Sequence, residues 1–174
     1  YENAYLKLRL YTPLDNCKEN MTEGEYNNKI SQDYSDRYTL LDNKTVSTKN
    51  RKFEVCDLFD NYKKAFIHVK KYGQSSVLSH LFAQAKIAAD LFKDLTIKEE
   101  MLNKMKEVNQ DEDYDSLSFN DSEIIMAIIT NKPIPDSGYV EIPFFSKINA
   151  ITTIDYIKNK YGYKDSGIMF IGTK

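Results

Sequence analysis

The chain has 174 residues, 41% hydrophobic and 29% charged, and a formal net charge of -2. Such a length and composition suit one hydrophobic core, and they exclude a disordered tail and a protein that coats nucleic acid through bulk positive charge. The longest apolar runs, such as Ile124 to Ile129, are far too short to cross a bilayer, so no membrane segment is expected.

The two cysteines, Cys17 and Cys56, are expected to stay reduced, because Cys56 sits in a strand-like run where a buried free thiol is common. A cytoplasmic location follows as the default, and the sequons at Asn20, Asn43 and Asn120 are discounted with it. The chain opens on Tyr1 without Met or an apolar leader, which suggests a piece of a longer protein. Residues 1–174 are read as one domain, with 1–21 as an N-terminal extension.

In chain order, Tyr5 to Tyr11 alternates apolar and basic residues and predicts a strand that Pro13 stops. Thr22 with Glu25 forms a capping-box pattern that opens a helix through about Asp33. Three short strands follow at Tyr38 to Leu41, Phe53 to Phe59 and Ala65 to Lys70, each rich in aromatic or β-branched residues. Gly73 and the Ser75-Ser76 pair are read as the cap of a helix whose stripe is Val77, Leu78, Leu81, Phe82, Ala85, Ala88, Ala89 and Phe92.

A second helix is expected over Glu99 to Gln110, followed by an acidic surface loop through Asp111, Glu112, Asp113 and Asp115. Ile124 to Thr130 reads as a buried strand ended by Pro133 and Pro135, about Ser146 to Tyr161 as a helix, and Ile168 to Ile171 as a final strand. The fold class is therefore α/β. Its expected core is a helix, a three-stranded antiparallel meander, a helix and a strand, with an extra C-terminal helix and strand.

Chemistry is expected in the middle hairpin, where Asp57, His68 and Lys70 place polar groups inside apolar strands. His68 and Lys70 share a face because side chains alternate along a strand. A turn over Asn61 to Lys64 would set Phe59 opposite Phe66 and Asp57 opposite His68, with Lys70 diagonal to Asp57. Structural alternatives stay open: Asp57 could satisfy a turn amide, His68 could be a hydrogen-bonded core histidine, and Lys70 could snorkel into solvent.

Charge is uneven along the sequence. Lys44, Lys49, Arg51, Lys52, Lys63, Lys64, Lys70 and Lys71 gather in its middle, a distribution that would permit local phosphate contact or be plain solvated charge. Ser75 and Ser76 could likewise hold a phosphate at a helix start, near Lys70, Lys71 and Gly73.

An Asp on one strand and an x-Lys step on the next, flanked by helices, resembles the PD-(D/E)XK nuclease superfamily, whose restriction-endonuclease-like core has the same element order. The resemblance implies that Asp57 ligates a Mg or Mn ion and that Lys70 positions and activates the attacking water. His68 stands where that superfamily has a carboxylate. It would serve as a ligand or proton carrier, favouring Mn²⁺ or a softer ion. Glu25, Asp42 or Glu54 could supply the missing oxygen, although alternation puts Glu54 on the face opposite Asp57. Gln84 is at the position where nuclease relatives sometimes touch DNA or the metal.

The segments Tyr38-Thr-Leu-Leu-Asp42, Phe53-Glu-Val-Cys-Asp57, Phe66-Ile-His-Val-Lys70 through Gln84, and Pro143-Phe-Phe-Ser-Lys147 resemble the C-terminal part of a sporadically distributed bacterial family of unknown function, often encoded near restriction or phage-defence genes. The likeness implies a defence setting and the N-terminal remainder of a parent protein as partner. The leading expectation is a metal-dependent nuclease acting on DNA or RNA, with Lys63, Lys64, Lys71, Ser75, Ser76 and Gln84 contacting nucleic acid and self-association possible in principle. The alternatives are an inactive nuclease-like module that binds nucleic acid or a partner protein, and a plain assembly domain.

Overall fold

A computed structural model describes residues 1–48 and 51–173. Lys49 of the basic cluster lies outside the described residues. In chain order the elements are α1 (Glu2–Tyr5), α2 (Glu23–Asp33), β1 (Tyr38–Leu40), β2 (Thr45–Thr48), β3 (Arg51–Glu54), β4 (Leu58–Asp60) and β5 (Ala65–Lys71). They are followed by α3 (Ser75–Leu91), α4 (Leu95–Val108), β6 (Glu123–Thr130), α5 (Phe144–Asp155) and β7 (Asp165–Gly172).

Five strands form one mixed sheet in the order β1-β4-β5-β6-β7. The pairs β1/β4 and β4/β5 are antiparallel, whereas β5/β6 and β6/β7 are parallel. β2 and β3 make a separate antiparallel hairpin, inserted between the first two strands of the antiparallel run. The parallel pairs need crossovers, which α3 with α4 and then α5 supply.

Both faces of the sheet are covered. Ile67, Val69, Ile125, Ala127, Ile129 and Ile171 pack toward Tyr26 and Ile30 of α2. Phe66, Ile124, Met126, Ile128 and Phe170 pack toward Leu78, Leu81 and Phe82 of α3 and Ala150 and Ile154 of α5. The apolar run of β6 has no alternation because the strand is buried from end to end.

Several elements have the expected form. Thr22 accepts from the Glu25 amide while the Glu25 carboxylate accepts from the Thr22 amide, so the capping box opens α2, which ends at Asp33. Phe59 faces Phe66 across β4 and β5, with ring centroids 4.9 Å apart.

Others differ for local reasons. Of the expected strand over Tyr5 to Tyr11, Tyr5 ends the short helix α1, Leu6 to Leu8 form a turn, and the run touches β7 through a single bridge at Leu10. There the Tyr11 amide donates to the Ile168 carbonyl and the Ile168 amide to the Arg9 carbonyl. Gly167 permits this approach, since a Cβ at that position would stand 2.3 Å from the Arg9 carbonyl oxygen.

The run Phe53 to Phe59 is two strands of different sheets. Val55 and Cys56 lie between the two strands, and the chain bends there to leave the hairpin and enter the main sheet. Ser75 and Ser76 are not caps: Gln74 holds that position and gives no side-chain cap bond. α4 begins before the expected Glu99, because the Asp94 carboxylate accepts from the amides of Thr96 and Ile97. The expected helix to Tyr161 starts at Phe144 and passes into a π-type turn at Tyr156–Lys160. The acidic segment is mostly exposed, yet Tyr114 turns inward and bonds Thr39 and Asn61.

Candidate metal centre

The bend after Glu54 builds the site. β3 delivers Glu54, the β1–β2 connection delivers Asp42, and the residue before β4 delivers Asp57. One carboxylate oxygen from each lies within 4.8 Å of the others, and all three residues are half-buried. Because the chain bends between them, Glu54 and Asp57 meet although strict alternation would separate them. Such a group of oxygens can hold a metal ion.

Asp57 is tied to the sheet through its Oδ2, which accepts from the Val69 amide at 2.6 Å. Its own amide donates to the carbonyl of Ile67, the residue already paired with Leu58, so the regular β4/β5 ladder ends at Leu58 and the expected Asp57–His68 pair is not part of it. Burial raises the Asp57 carboxyl to about 7; the charges of Asp42 and Glu54 push the same way, against the Val69 amide and Lys70. Glu54 is also raised, by burial and then by Asp42, again with Lys70 opposing. Asp57 and Glu54 therefore hold their protons to higher pH than free carboxyls do, and the Lys70 charge partly offsets this.

Asp57, His68 and Gln84 come together as expected. They line one cavity of about 200 Å³ with Glu54, Lys52, Phe53 and Ile87. His68 is 4% exposed and its Nε2 has no hydrogen-bond partner, so it is not the satisfied core histidine of the structural alternative. Burial, with Lys70 adding, lowers it to about 4 and leaves the ring neutral at physiological pH. It does not join the carboxylate triad, because no imidazole nitrogen lies within 4.8 Å of all three oxygens among the described residues.

Lys70 is half-buried on the same face of β5, with Nζ 3.9 Å from Glu23 Oε1. Glu23, which sequence reasoning missed, also accepts from the Lys71 amide at 2.5 Å and ties α2 to the end of β5. The signal for it was only its place in the first turn of a capped helix. Glu25, the expected ligand on α2, is instead spent on the capping box and stands outside the triad. A second cavity, of about 380 Å³, is lined by Glu23, Lys70, Lys71, Ser76, Val77 and His80. Ser75 is exposed and does not line it.

The expected basic surface does not form one patch. Lys64 and Lys70 lie at opposite ends of β5, roughly 20 Å apart at about 3.3 Å per residue. Lys64 pairs with Asp121 at 2.9 Å, and the Lys63 ammonium lies over the Tyr11 ring. Of the three lysines expected to contact nucleic acid, Lys71 alone lies at the Lys70 end of β5, where it lines the second cavity.

Fold and site together define a mixed α/β protein with a carboxylate pocket suited to a cation. A model of a family of unknown function, DUF6119, matches residues 2–172, and the chain belongs to that family. No curated protein and no solved structure matches the chain. No helix of the described residues is long and apolar enough to cross a membrane.

Proposed function

We propose that this protein is a metal-dependent phosphodiesterase that cuts nucleic acid. The observation that carries the reading is the triad Asp42, Glu54 and Asp57, of which Glu54 and Asp57 line a cavity, with the Lys70 charge acting on both. The element order from α2 through β6 and the pairing of β1, β4, β5 and β6 support the nuclease-like core that the sequence pattern suggested. Glu54 and Asp42 supply the oxygens missing where His68 replaces a carboxylate. An all-oxygen set suits Mg²⁺ or Mn²⁺ and removes the need for a softer ion.

A divalent ion held there would acidify coordinated water and offset phosphate charge. Lys70 would hold the attacking water in line and stabilise charge growing on the phosphate oxygens. The water oxygen bonds to phosphorus as it gives up a proton to solvent, the bridging P–O bond breaks, and the departing sugar oxygen takes up a proton from solvent. Neutral His68 has a buried, unpartnered nitrogen and stands outside the carboxylate triad, which argues against a role as ligand.

Purified protein is expected to cut single-stranded DNA, RNA or plasmid with Mg²⁺ or Mn²⁺, and to stop when EDTA is added. Binding of these polymers with no cutting under either ion would select the second reading, an inactive module. The imidazole in the carboxylate position is the observation that favours that reading.

A further inference from the structure

Two cavities lie along the same side of α3. Ser76, His80, Gln84 and Ile87 recur at helical spacing and form one stripe roughly 16 Å long at about 1.5 Å per residue. The first pair lines the cavity with Lys70 and Lys71, and the second pair lines the cavity with Glu54 and Asp57. The floor is also shared, since His68 in one and Lys70 in the other are successive same-face residues of β5.

We propose that these cavities form one cleft that seats a single polynucleotide strand along α3, an inference that rests on the phosphodiesterase reading. The Lys70 and Lys71 end takes a phosphate neighbouring the one at the triad, and Phe53 and Ile87 take a base.

Size and charge support this occupant. Cavities of about 200 and 380 Å³ are on the scale of one small ligand each, which admits a nucleotide or two and no duplex. At the far end the cavity lining holds two lysines, Lys70 and Lys71, against one acid, Glu23, with Glu25 outside the lining but within reach of the Lys71 charge. At the near end Ile87 is 53% exposed, an isolated apolar side chain beside Phe53 that offers a face to a base. The hairpin rim adds Lys52 in the cavity and exposed Lys44 and Arg51 outside it.

The test is fluorescence anisotropy in EDTA at low salt, where no cutting occurs, with labelled 12-nucleotide single-stranded DNA, the same sequence as RNA, and a blunt 12-base-pair duplex. One or both single strands are expected to bind at least about tenfold more tightly than the duplex. Lys71→Ala and Ile87→Asp should each weaken that binding by about tenfold, while the Lys63→Ala/Lys64→Ala double variant at the other end of β5 stays within about twofold. Melting curves establish that each variant is folded. Equal affinity for duplex, equal loss in the Lys63/Lys64 variant, or no binding of any polymer would overturn the cleft. Single-strand binding with the expected variant pattern, but no cutting once Mg²⁺ or Mn²⁺ is restored, would uphold the cleft and reject the phosphodiesterase reading.

Discussion

Asp57→Asn is expected to make the metal-free protein more stable at pH 8 while removing its stabilisation by Mn²⁺. Burial and two neighbouring carboxylates raise Asp57 from 3.8 to about 7 in the folded state. A raised acid binds its proton more tightly folded than unfolded, so its contribution is most favourable at low pH. That contribution is lost as pH climbs from about 4 to about 7. Above pH 7 the folded state carries an ionised, crowded carboxylate, at a cost of up to about 4 kcal/mol.

Asn keeps an acceptor for the Val69 amide but carries no charge, so it escapes this cost. In EDTA at pH 8 the variant should melt several degrees higher than wild type, at about 2–4 °C per kcal/mol for a chain of this size, and the gap should close near pH 4. With Mn²⁺ at about one hundred times its dissociation constant, wild type should gain roughly 2.7 kcal/mol and the variant far less. Thermal melts at pH 4 and pH 8, with and without Mn²⁺, check both halves. A variant that is less stable than wild type at both pH values would make Asp57 a structural turn residue.

Lys70→Met should separate chemistry from metal binding. Nζ lies near Glu23 and its charge reaches Asp57 and Glu54, yet Lys70 is not a ligand to any cation held by the triad. Methionine preserves the apolar stem and removes the charge, so folding and Mn²⁺-dependent stabilisation should survive. Cleavage should fall by about 10²-fold or more, the scale for loss of a positioned catalytic group. Removing the ammonium also withdraws the one charge that opposes the carboxylates' upward shift, so metal uptake in the variant should move to higher pH. Cleavage rates and Mn²⁺-dependent melts on the same preparation test the separation. Unchanged cleavage would return Lys70 to the role of a snorkelling strand-end lysine.

The parts of the fold that were legible are those where local chemistry and tertiary packing agree. The capping box of Thr22 and Glu25, the apolar stripe of α3 and the unbroken aliphatic run of β6 each answer to one environment along their length. The β2/β3 hairpin escaped notice because Thr45–Thr48 is short and polar except for Val46, its one buried residue. Its omission then fused β3 with β4.

That fusion also hid the site. Alternation placed His68 and Lys70 on one face, and the pairing of Phe59 with Phe66 was legible because both lie in one ladder; that ladder stops at Leu58, so Asp57 and His68 meet at a cavity and not as a ladder pair. Alternation sent Glu54 to the wrong side because Val55 and Cys56 are a bend between sheets. Asp42 and Glu54 become partners of Asp57 only through that bend, a tertiary event with a weak local signature. The lysines show the converse: Lys63, Lys64, Lys70 and Lys71 are close in sequence, but a strand of seven residues holds the two pairs apart.

The claim on which the rest depends is that Asp42, Glu54 and Asp57 share a cation. Crystals soaked in MnCl₂ and measured near the manganese absorption edge provide the direct test. An anomalous peak is expected within ligand distance of at least two of the three carboxylates, about 2.0–2.6 Å for hard cations, and absent from Asp57→Asn crystals treated alike. A map with no peak there, or with manganese bound only elsewhere, would contradict the account.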